Sequence, residues 1–327
     1  MFRVATFNLE NLDDIEGAQP SLRQRLDILR PQMLRLQADV LCLQEVNSQA
    51  AEDGGRTLTA LDVLISDTPY QTFHKSFSQG LSGTHLADKH NLVTLSRAPV
   101  LDYLQVRHDY VSPPEHTLAS AFPGEPEEIV FDRPFLYTKV RLPYGHVLHV
   151  INAHLRAPIA AYIPGQKMRK NAWRSVSGWS EGYFLASVKR AAQALEIRLF
   201  IETLFEEDPQ AMIIVCGDLN AEAHEDPIRI LIAAEEDVEN PSLTPRSLVP
   251  IEHGIPEDLR YSVIHHGRRQ LLDRVLISRP LLAYYRGAEI HNESLEDEFC
   301  PHHASGDGTM DSHHAPFIAS FDFSGLR

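Results

Sequence analysis

Asp218 and Asn220 stand two residues apart in Val215-Cys216-Gly217-Asp218-Leu219-Asn220-Ala221-Glu222, directly after the apolar run Ala211-Met212-Ile213-Ile214-Val215. In extended backbone that spacing points both side chains to one side. A carboxylate and an amide are hard oxygen donors, suited to a divalent cation, to an attacking water or to a phosphate held beside them. A strand that ends in an Asx-rich turn has the same letters, and the octamer alone leaves the two readings open. The spacing recurs at Asn8 and Glu10, behind the apolar residues 2–7. Glu45 ends Val40-Leu41-Cys42-Leu43-Gln44-Glu45, where a carboxylate is costly unless paired or metal-bound. His154 ends another apolar run, readable alone as a core histidine, and Asp273 stands between Leu272 and Arg274-Val275-Leu276-Ile277. Asp311-Ser312-His313-His314-Ala315 precedes the last apolar segment.

These residues need strands to hold them, and the patterning supplies strands. Residues 2–7, 39–46, 71–77, 91–96, 101–106, 260–265, 270–278 and 316–323 read as strands, and 135–142 with 146–155 as a hairpin turning at Pro143-Tyr144-Gly145. Leu22, Leu26, Leu29, Met33 and Leu36 follow helical spacing with a possible kink at Pro31. Residues 184–205 carry a long helical pattern and 227–234 a short one. Residues 108–128, 157–183 and 240–258 read as loops or connections. Within the second of these, Lys167, Arg169, Lys170 and Arg174 cluster near Trp173 and Trp179, a basic-aromatic pattern that suits a phosphate backbone as well as it suits a solvated loop. Hairpins alternate with helical crossovers, which predicts mixed sheets with helices outside. No repeat or composition step divides residues 1–327, so one domain is expected.

Composition narrows the class. An apolar fraction of 43% and a charged fraction of 23% are those of a soluble globular chain. Lys plus Arg number 30 against 45 Asp plus Glu, a formal charge of −15. That balance argues against a general basic coat for nucleic acid, although an acidic pocket loaded with divalent metal presents local positive potential. No apolar run is long enough to span a bilayer. Cys42, Cys216 and Cys300 have no framework spacing and suit a reducing compartment. The strand that starts at the N-terminus leaves no room for a signal peptide, so a cytoplasmic location is expected.

The ordered series Phe7-Asn8-Leu9-Glu10-Asn11-Leu12, Leu43-Gln44-Glu45-Val46, Asn152-Ala153-His154-Leu155, Gly217-Asp218-Leu219-Asn220, Leu272-Asp273-Arg274 and Ser312-His313-His314-Ala315-Pro316 resembles the endonuclease/exonuclease/phosphatase superfamily, the pancreatic-deoxyribonuclease-like phosphoesterases. The resemblance runs from residue 2 to about residue 321. It implies an α/β four-layer sandwich, two mixed sheets face to face with helices on both outer faces and the motifs gathered at one end. It further implies that Glu45 is the principal ligand of a divalent metal, Mg2+ or Mn2+, assisted by Asn8 and Glu10. Asp218 and Asn220 would orient the attacking water and the phosphate, Asp273 would orient His314, and His154 would sit near the phosphate as donor or general acid.

One motif departs from the family pattern. Ser-Asp-His-x-Pro is expected, and Ser312-His313-His314-Ala315-Pro316 is present. Either His313 ligates the metal, or Asp311 reaches in for the missing carboxylate, or the site is weakened. The leading expectation is a metal-dependent phosphodiesterase acting on nucleic acid, with Lys167, Arg169, Lys170 and Arg174 as substrate contacts. The alternatives are hydrolysis of a small phosphorylated molecule or lipid headgroup, and a binding protein that kept the fold and lost the activity. Oligomeric state is not encoded legibly.

Overall fold

The computed structural model describes the chain except residues 52–53, 81–82, 84, 122–123, 170–171, 300–310 and 327. Its sheet strands are, in chain order, β1 (Phe2–Leu12), β2 (Val40–Val46), β3 (His74–Phe77), β4 (Asn91–Ser96), β5 (Val100–Val106), β6 (Phe135–Arg141), β7 (Val147–His154), β8 (Met212–Asp218), β9 (Leu248–Pro250), β10 (Asp273–Ser278), β11 (Tyr285–Ile290) and β12 (Phe317–Phe321). They form two six-stranded sheets, ordered β11-β12-β1-β2-β4-β3 and β9-β10-β8-β7-β6-β5. The central pairs, β1 with β2 and β7 with β8, are parallel, and their outer neighbours run antiparallel.

Period-2 alternation assigns the faces. Val4, Val40, Cys42, Val150, Ile214, Cys216, Val275, Phe317 and Phe321 meet between the sheets. Their neighbours Ala5, Phe7, Leu41 and Leu43 point outward onto Leu29, Met33 and Leu36 of α1 (Leu22–Leu36) and Leu61 of α2 (Thr59–Ile65). On the other side Ile151, Ala153, Ile213 and Val215 pack on Ala194, Ile197, Ile201 and Phe205 of α3 (Val176–Glu207) and on Ile228 of α4 (Asp226–Ile232). Burial on both faces is why β2 and β8 read as unbroken apolar runs. Each fully buried side chain of this kind contributes about 1.5–3 kcal/mol, and a one-residue slip would turn a whole strand inside out. The register, and with it what reaches each sheet edge, is therefore fixed by the core.

The expected sandwich is the observed one, with local differences. Residues 69–72 form a 3-10 turn, so the strand expected over 71–77 shortens to β3. The stretch expected as loop up to residue 183 becomes helix from Val176 onward. Ser and Gly dominate Ser175-Val176-Ser177-Gly178-Trp179-Ser180-Glu181-Gly182, so propensity opposes helix there. The Ser175 hydroxyl accepts the Gly178 N–H at 3.0 Å, and packing against a neighbouring hairpin completes the turn. Two edge strands, β9 and β11, escaped the pattern because one is three residues long and ends in Pro250, and the other contains Gly287. α1 runs continuously through Pro31, started by a Ser21–Gln24 capping box. Cys42 and Cys216 are buried free thiols; Cys300 lies outside the described residues. No helix among the described residues is long and apolar enough to cross a membrane.

Candidate active site

Along the inward faces the side chains turn from apolar to polar toward one edge: Val4, Thr6, Asn8 on β1; Val40, Cys42, Gln44 on β2; Val150, Asn152, His154 on β7; Ile214, Cys216, Asp218 on β8, all buried. The parallel pairs carry the C-terminal ends of these four strands to that edge. Antiparallel strands begin there, so Asp273 pairs with Asp218 and Phe317 pairs with Thr6, placing His313 and His314 at the same edge. Gln44 Nε2 donates to Asn152 Oδ1 across the sheets at 2.7 Å, and Asn152 Nδ2 donates to the Leu43 and Val93 carbonyls at 3.2 and 3.1 Å. This satisfied amide pair is the boundary between apolar core and polar site.

Above it, Asn8 Nδ2 donates to Glu45 Oε1 at 3.3 Å and to Asp218 Oδ2 at 3.1 Å, joining the two sheets. Glu45 Oε2 accepts the Asn11 N–H at 3.0 Å. Asp218 Oδ1 accepts the Asn220 N–H at 3.0 Å, and Asn220 Nδ2 donates to the Leu155 carbonyl at 3.1 Å. His314 Nδ1 lies 2.8 Å from Asp273 Oδ2. Donor atoms of Asp218, Asp273 and His314 lie within 4.8 Å of one another. Ser312 Oγ donates to the Asn8 carbonyl at 2.7 Å and accepts the His314 N–H at 3.1 Å, which locks the last loop onto β1.

The two histidines at this edge, His154 and His314, are pushed in opposite directions. Burial and then the neighbouring Arg133 charge hold His154 well below the usual imidazole range. Arg133 Nη1 contacts His154 Nδ1. Since a guanidinium only donates, Nδ1 is the acceptor and the proton sits on Nε2, which faces Asp218 Oδ2 at 3.3 Å and Glu45 Oε1 at 3.8 Å. Burial also opposes a charged His314, but Asp273, with Asp218 and Glu45 behind it, overrides this and holds the imidazole well above its usual range. Asp218 is pushed up to about 7, by burial first and then by the Asp273 and Glu45 charges.

Backbone geometry at the edge is unusual. Glu10, Asn11, Glu45 and Asn220 have φ of 46, 55, 58 and 48°, a region that costs non-glycine residues about 1 kcal/mol or more each. Gly217 has φ +141° and lies so close to β7 that a Cβ would sit 1.8 Å from the Ala153 carbonyl oxygen. Gly217→Ala is therefore expected to part β7 from β8 beside His154 and Asp218, costing about 3 kcal/mol or more. A lowered urea midpoint checks this; an unchanged midpoint would mean that the β7–β8 approach is looser than described.

The structure brings Asn8, Glu45, His154, Asp218, Asn220, Asp273 and His314 together. Glu10 joins them through His313: its Oε1 lies 3.0 Å from His313 Nδ1 and its Oε2 accepts the His313 N–H at 2.7 Å. Asp311 does not reach in. It accepts from Gln32 Nε2 on α1 at 2.9 Å and from the Ser312 N–H at 2.7 Å. Lys167 and Arg169 lie on a small ribbon, Lys167–Arg169 with Ala172–Trp173, and Arg174 follows it. Lys170 lies outside the described residues. His90 and Arg133 went unread in the sequence. His90 Nε2 lies 2.9 Å from Asn11 Oδ1 and 3.9 Å from Glu45 Oε2, and its ring stacks on His154 at 6.1 Å. His90 directly precedes β4 and Arg133 stands two residues ahead of β6, antiparallel strands whose starts lie beside the ends of β2 and β7. The 135–142/146–155 hairpin pattern held that signal for Arg133. A separate cavity of about 1090 Å3, lined by Ile232, Leu248, Val249 and Arg279, contains none of these groups.

The profile of the Endonuclease/Exonuclease/phosphatase family matches residues 5–295. The chain belongs to this family. Members of the endonuclease/exonuclease/phosphatase family are hydrolases of phosphoester bonds. Solved structures repeat the fold. Truncated TDP2 from Caenorhabditis elegans aligns over 98% of this chain and 97% of its own, with 16% identity and a TM-score of 0.57. An AP endonuclease from Archaeoglobus fulgidus aligns over 98% and 100%, with 16% identity and a TM-score of 0.54. The human Nocturnin catalytic domain with bound sulfate anion aligns over 99% and 93%, with 16% identity and a TM-score of 0.55. At these identities the likeness is one of fold. A comparison with curated proteins gave no match.

Proposed function

We propose that this family member is a metal-dependent phosphodiesterase that cleaves nucleic acid by direct attack of water. The observation that carries the reading is the set of carboxylates Glu45, Asp218 and Asp273 converging with one charged and one neutral imidazole at a single sheet edge. The donors fit a divalent ion: carboxylate and amide oxygens suit Mg2+ or Mn2+, and burial, followed by the Asp273 and Glu45 charges, pushes Asp218 up to about 7, a cluster of negative charge that a cation would balance. Glu45, with Asn8 and Glu10 and with His313 beside Glu10, would hold it. Bound there, a divalent ion supplies charge neutralisation at the phosphoryl oxygens and the leaving group.

The remaining roles belong to the chain. Asp218, with a carboxyl poised near neutrality, accepts the proton of the attacking water. Asn220, its Nδ2 committed to Leu155, offers its amide oxygen to position that water. His314, fixed by Asp273 through Nδ1, presents its other N–H as a charged donor to a phosphoryl oxygen, an electrostatic contribution that grows as charge develops. His154, neutral with its proton on Nε2, donates a hydrogen bond without adding charge, and Arg133 fixes its tautomer. Nothing in the set suggests a covalent intermediate.

Lys167, Arg169 and Arg174 favour a polynucleotide substrate. The formal charge of −15 favours the second reading, a small phosphorylated molecule or lipid headgroup. Plasmid DNA, RNA, a chromogenic diester and inositol phosphates, each assayed with magnesium and with manganese, separate the two. Turnover confined to inositol phosphates would overturn the nuclease reading, and no metal-dependent turnover of any substrate would leave a binding protein.

His313 sets an expectation about the metal. An imidazole beside Glu10 contributes more to manganese than to magnesium, which prefers oxygen and holds its waters. His313→Asp replaces the Glu10–imidazole pair with two carboxylates and is expected to shift the preference toward magnesium. Parallel titrations of both proteins with the two ions check this; an unchanged preference would remove His313 from the ligand set.

A further inference from the structure

α3 is longer than the sheet it covers. Its 32 residues extend about 48 Å, whereas the seven residues of β8 extend roughly 23 Å. The helix runs antiparallel to β8, joined by the short turn at Asp208. Arg190 reaches the active-site edge, where its guanidinium contacts the Asn220 carbonyl and pairs with Glu225 at 2.9 Å. The turns from Val176 to Arg190 therefore overhang that edge by about 21 Å.

The helix keeps one stripe throughout. Arg190, Ala194, Ile197, Ile201 and Phe205 are buried against the second sheet. The same three-four spacing carried backward passes Ala186, still buried, and reaches Tyr183, Trp179 and Val176 on the same helix face. There they are exposed, at 38%, 45% and 79%, and the Trp179 and Tyr183 rings stack at 5.5 Å. The overhang is a built unit. Gly182, where a Cβ would meet the Ala161 carbonyl oxygen at 2.4 Å and the Trp173 ring at 3.0 Å, lets Ala161 and Trp173 pack flush against the helix. The Ala161 N–H donates to the Gly182 carbonyl at 2.8 Å. Lys167 Nζ lies 3.8 Å over the Trp173 ring. Residues 157–187 hold four cations and one carboxylate in a chain of charge −15. That carboxylate, Glu181, is bound by Ser120, the Ala119 N–H and His116.

From this we propose, resting on the phosphodiesterase reading above, that the overhang is a platform for a single-stranded segment of nucleic acid. Bases stack on Trp179 and Tyr183 while Lys167, Arg169 and Arg174 meet the phosphates. A small phosphorylated molecule has no use for contacts so far from the reacting bond. A platform raised this far would also hold a lipid headgroup off the site.

The chain has two tryptophans, Trp173 and Trp179, both on the overhang, so intrinsic fluorescence reports it directly. Oligothymidylate titrated into the protein with EDTA is expected to quench the emission in a salt-dependent way. Duplex of equal length is expected to quench it less. Trp179→Ala/Tyr183→Ala, with its melting temperature as the check on folding, is expected to weaken oligonucleotide affinity, followed by anisotropy of a labelled strand, tenfold or more. Its kcat/KM for an oligonucleotide is expected to fall at least tenfold further than for a chromogenic diester. Hydrolysis of the small diester with no response to oligothymidylate would overturn the platform and leave the hydrolase reading standing. So would a blue shift with anionic phosphatidylserine vesicles but not with oligonucleotide. Quenching by oligothymidylate with no hydrolysis of any diester would support the platform and overturn the hydrolase reading.

Discussion

Glu45→Ala is expected to lower metal-dependent hydrolysis of a chromogenic phosphodiester at least a hundredfold, the usual scale for loss of a preorganised charged group. Glu45 is the penultimate residue of β2, its side chain only 14% exposed and held by the Asn8 amide and the Asn11 N–H at 3.3 and 3.0 Å. Removing it deletes the carboxylate that the proposed ion needs most and frees the Asn8 amide that bridges to Asp218. The fold should survive, because Glu45 lies above the Gln44–Asn152 boundary and outside the apolar core. Alanine at φ 58° is no worse placed than glutamate. Glu45→Gln retains the shape and loses the charge, so it separates charge from packing. Turnover, calorimetric metal titration and melting temperature are the measurements. More than about a tenth of the activity remaining in Glu45→Ala, on a scale where one such group is worth about two orders of magnitude or more, would sink the metal assignment.

The second large effect belongs to Asp273. Asp273→Asn keeps a hydrogen-bond partner for His314 but removes the charge that holds the imidazole protonated. Turnover is expected to fall on the order of a hundredfold, and its dependence on pH should move to lower pH with the His314 titration. Stability carries the same signature with a definite sign. His314 is raised well above its usual range and Asp218 is raised to about 7, so above pH 7 the folded, metal-free protein holds protons that the unfolded chain has lost. Stability contributed by these groups is present at lower pH and is lost as pH rises through the folded-state values. His90, His149 and His154, all lowered by burial, act oppositely only below the ordinary histidine range, near about 6.5, and so do not mask the effect above pH 7. Melting temperature in EDTA is thus expected to decline between pH 7 and 9. Asp273→Asn should flatten that decline, and added manganese should oppose it by binding the deprotonated site. A wild-type profile flat over this interval would mean that His314 is not held charged.

The sequence by itself determined the strand ends and what they carry. Asn8, Glu45, His154 and Asp218 follow buried strands in which period 2 decides which side faces inward, and the core enforces that register. Their pattern was therefore sufficient to place Asn8, His154 and Asp218 on inward faces and to indicate the family; Glu45, on the outward side by period 2 with Leu41 and Leu43, is turned to the site by its left-handed backbone, φ 58°. The tertiary structure decided what local pattern cannot encode. The pairing of parallel with antiparallel strands brought His90 and Arg133, each just ahead of a strand, to the ends of β2 and β7. Their contribution depends on neighbours that are remote in sequence. Asp311 was turned toward Gln32 on α1, although its spacing allowed it to face the site. The charge states were decided the same way: His154 is buried and His314 nearly so, and the partner differs, Arg133 for one and Asp273 for the other. The Ser/Gly-rich start of α3 became helix because a hairpin packs on it, against its own propensity. One helix face therefore continues past the sheet, buried as far as Ala186 and exposed at Tyr183, Trp179 and Val176 beyond it.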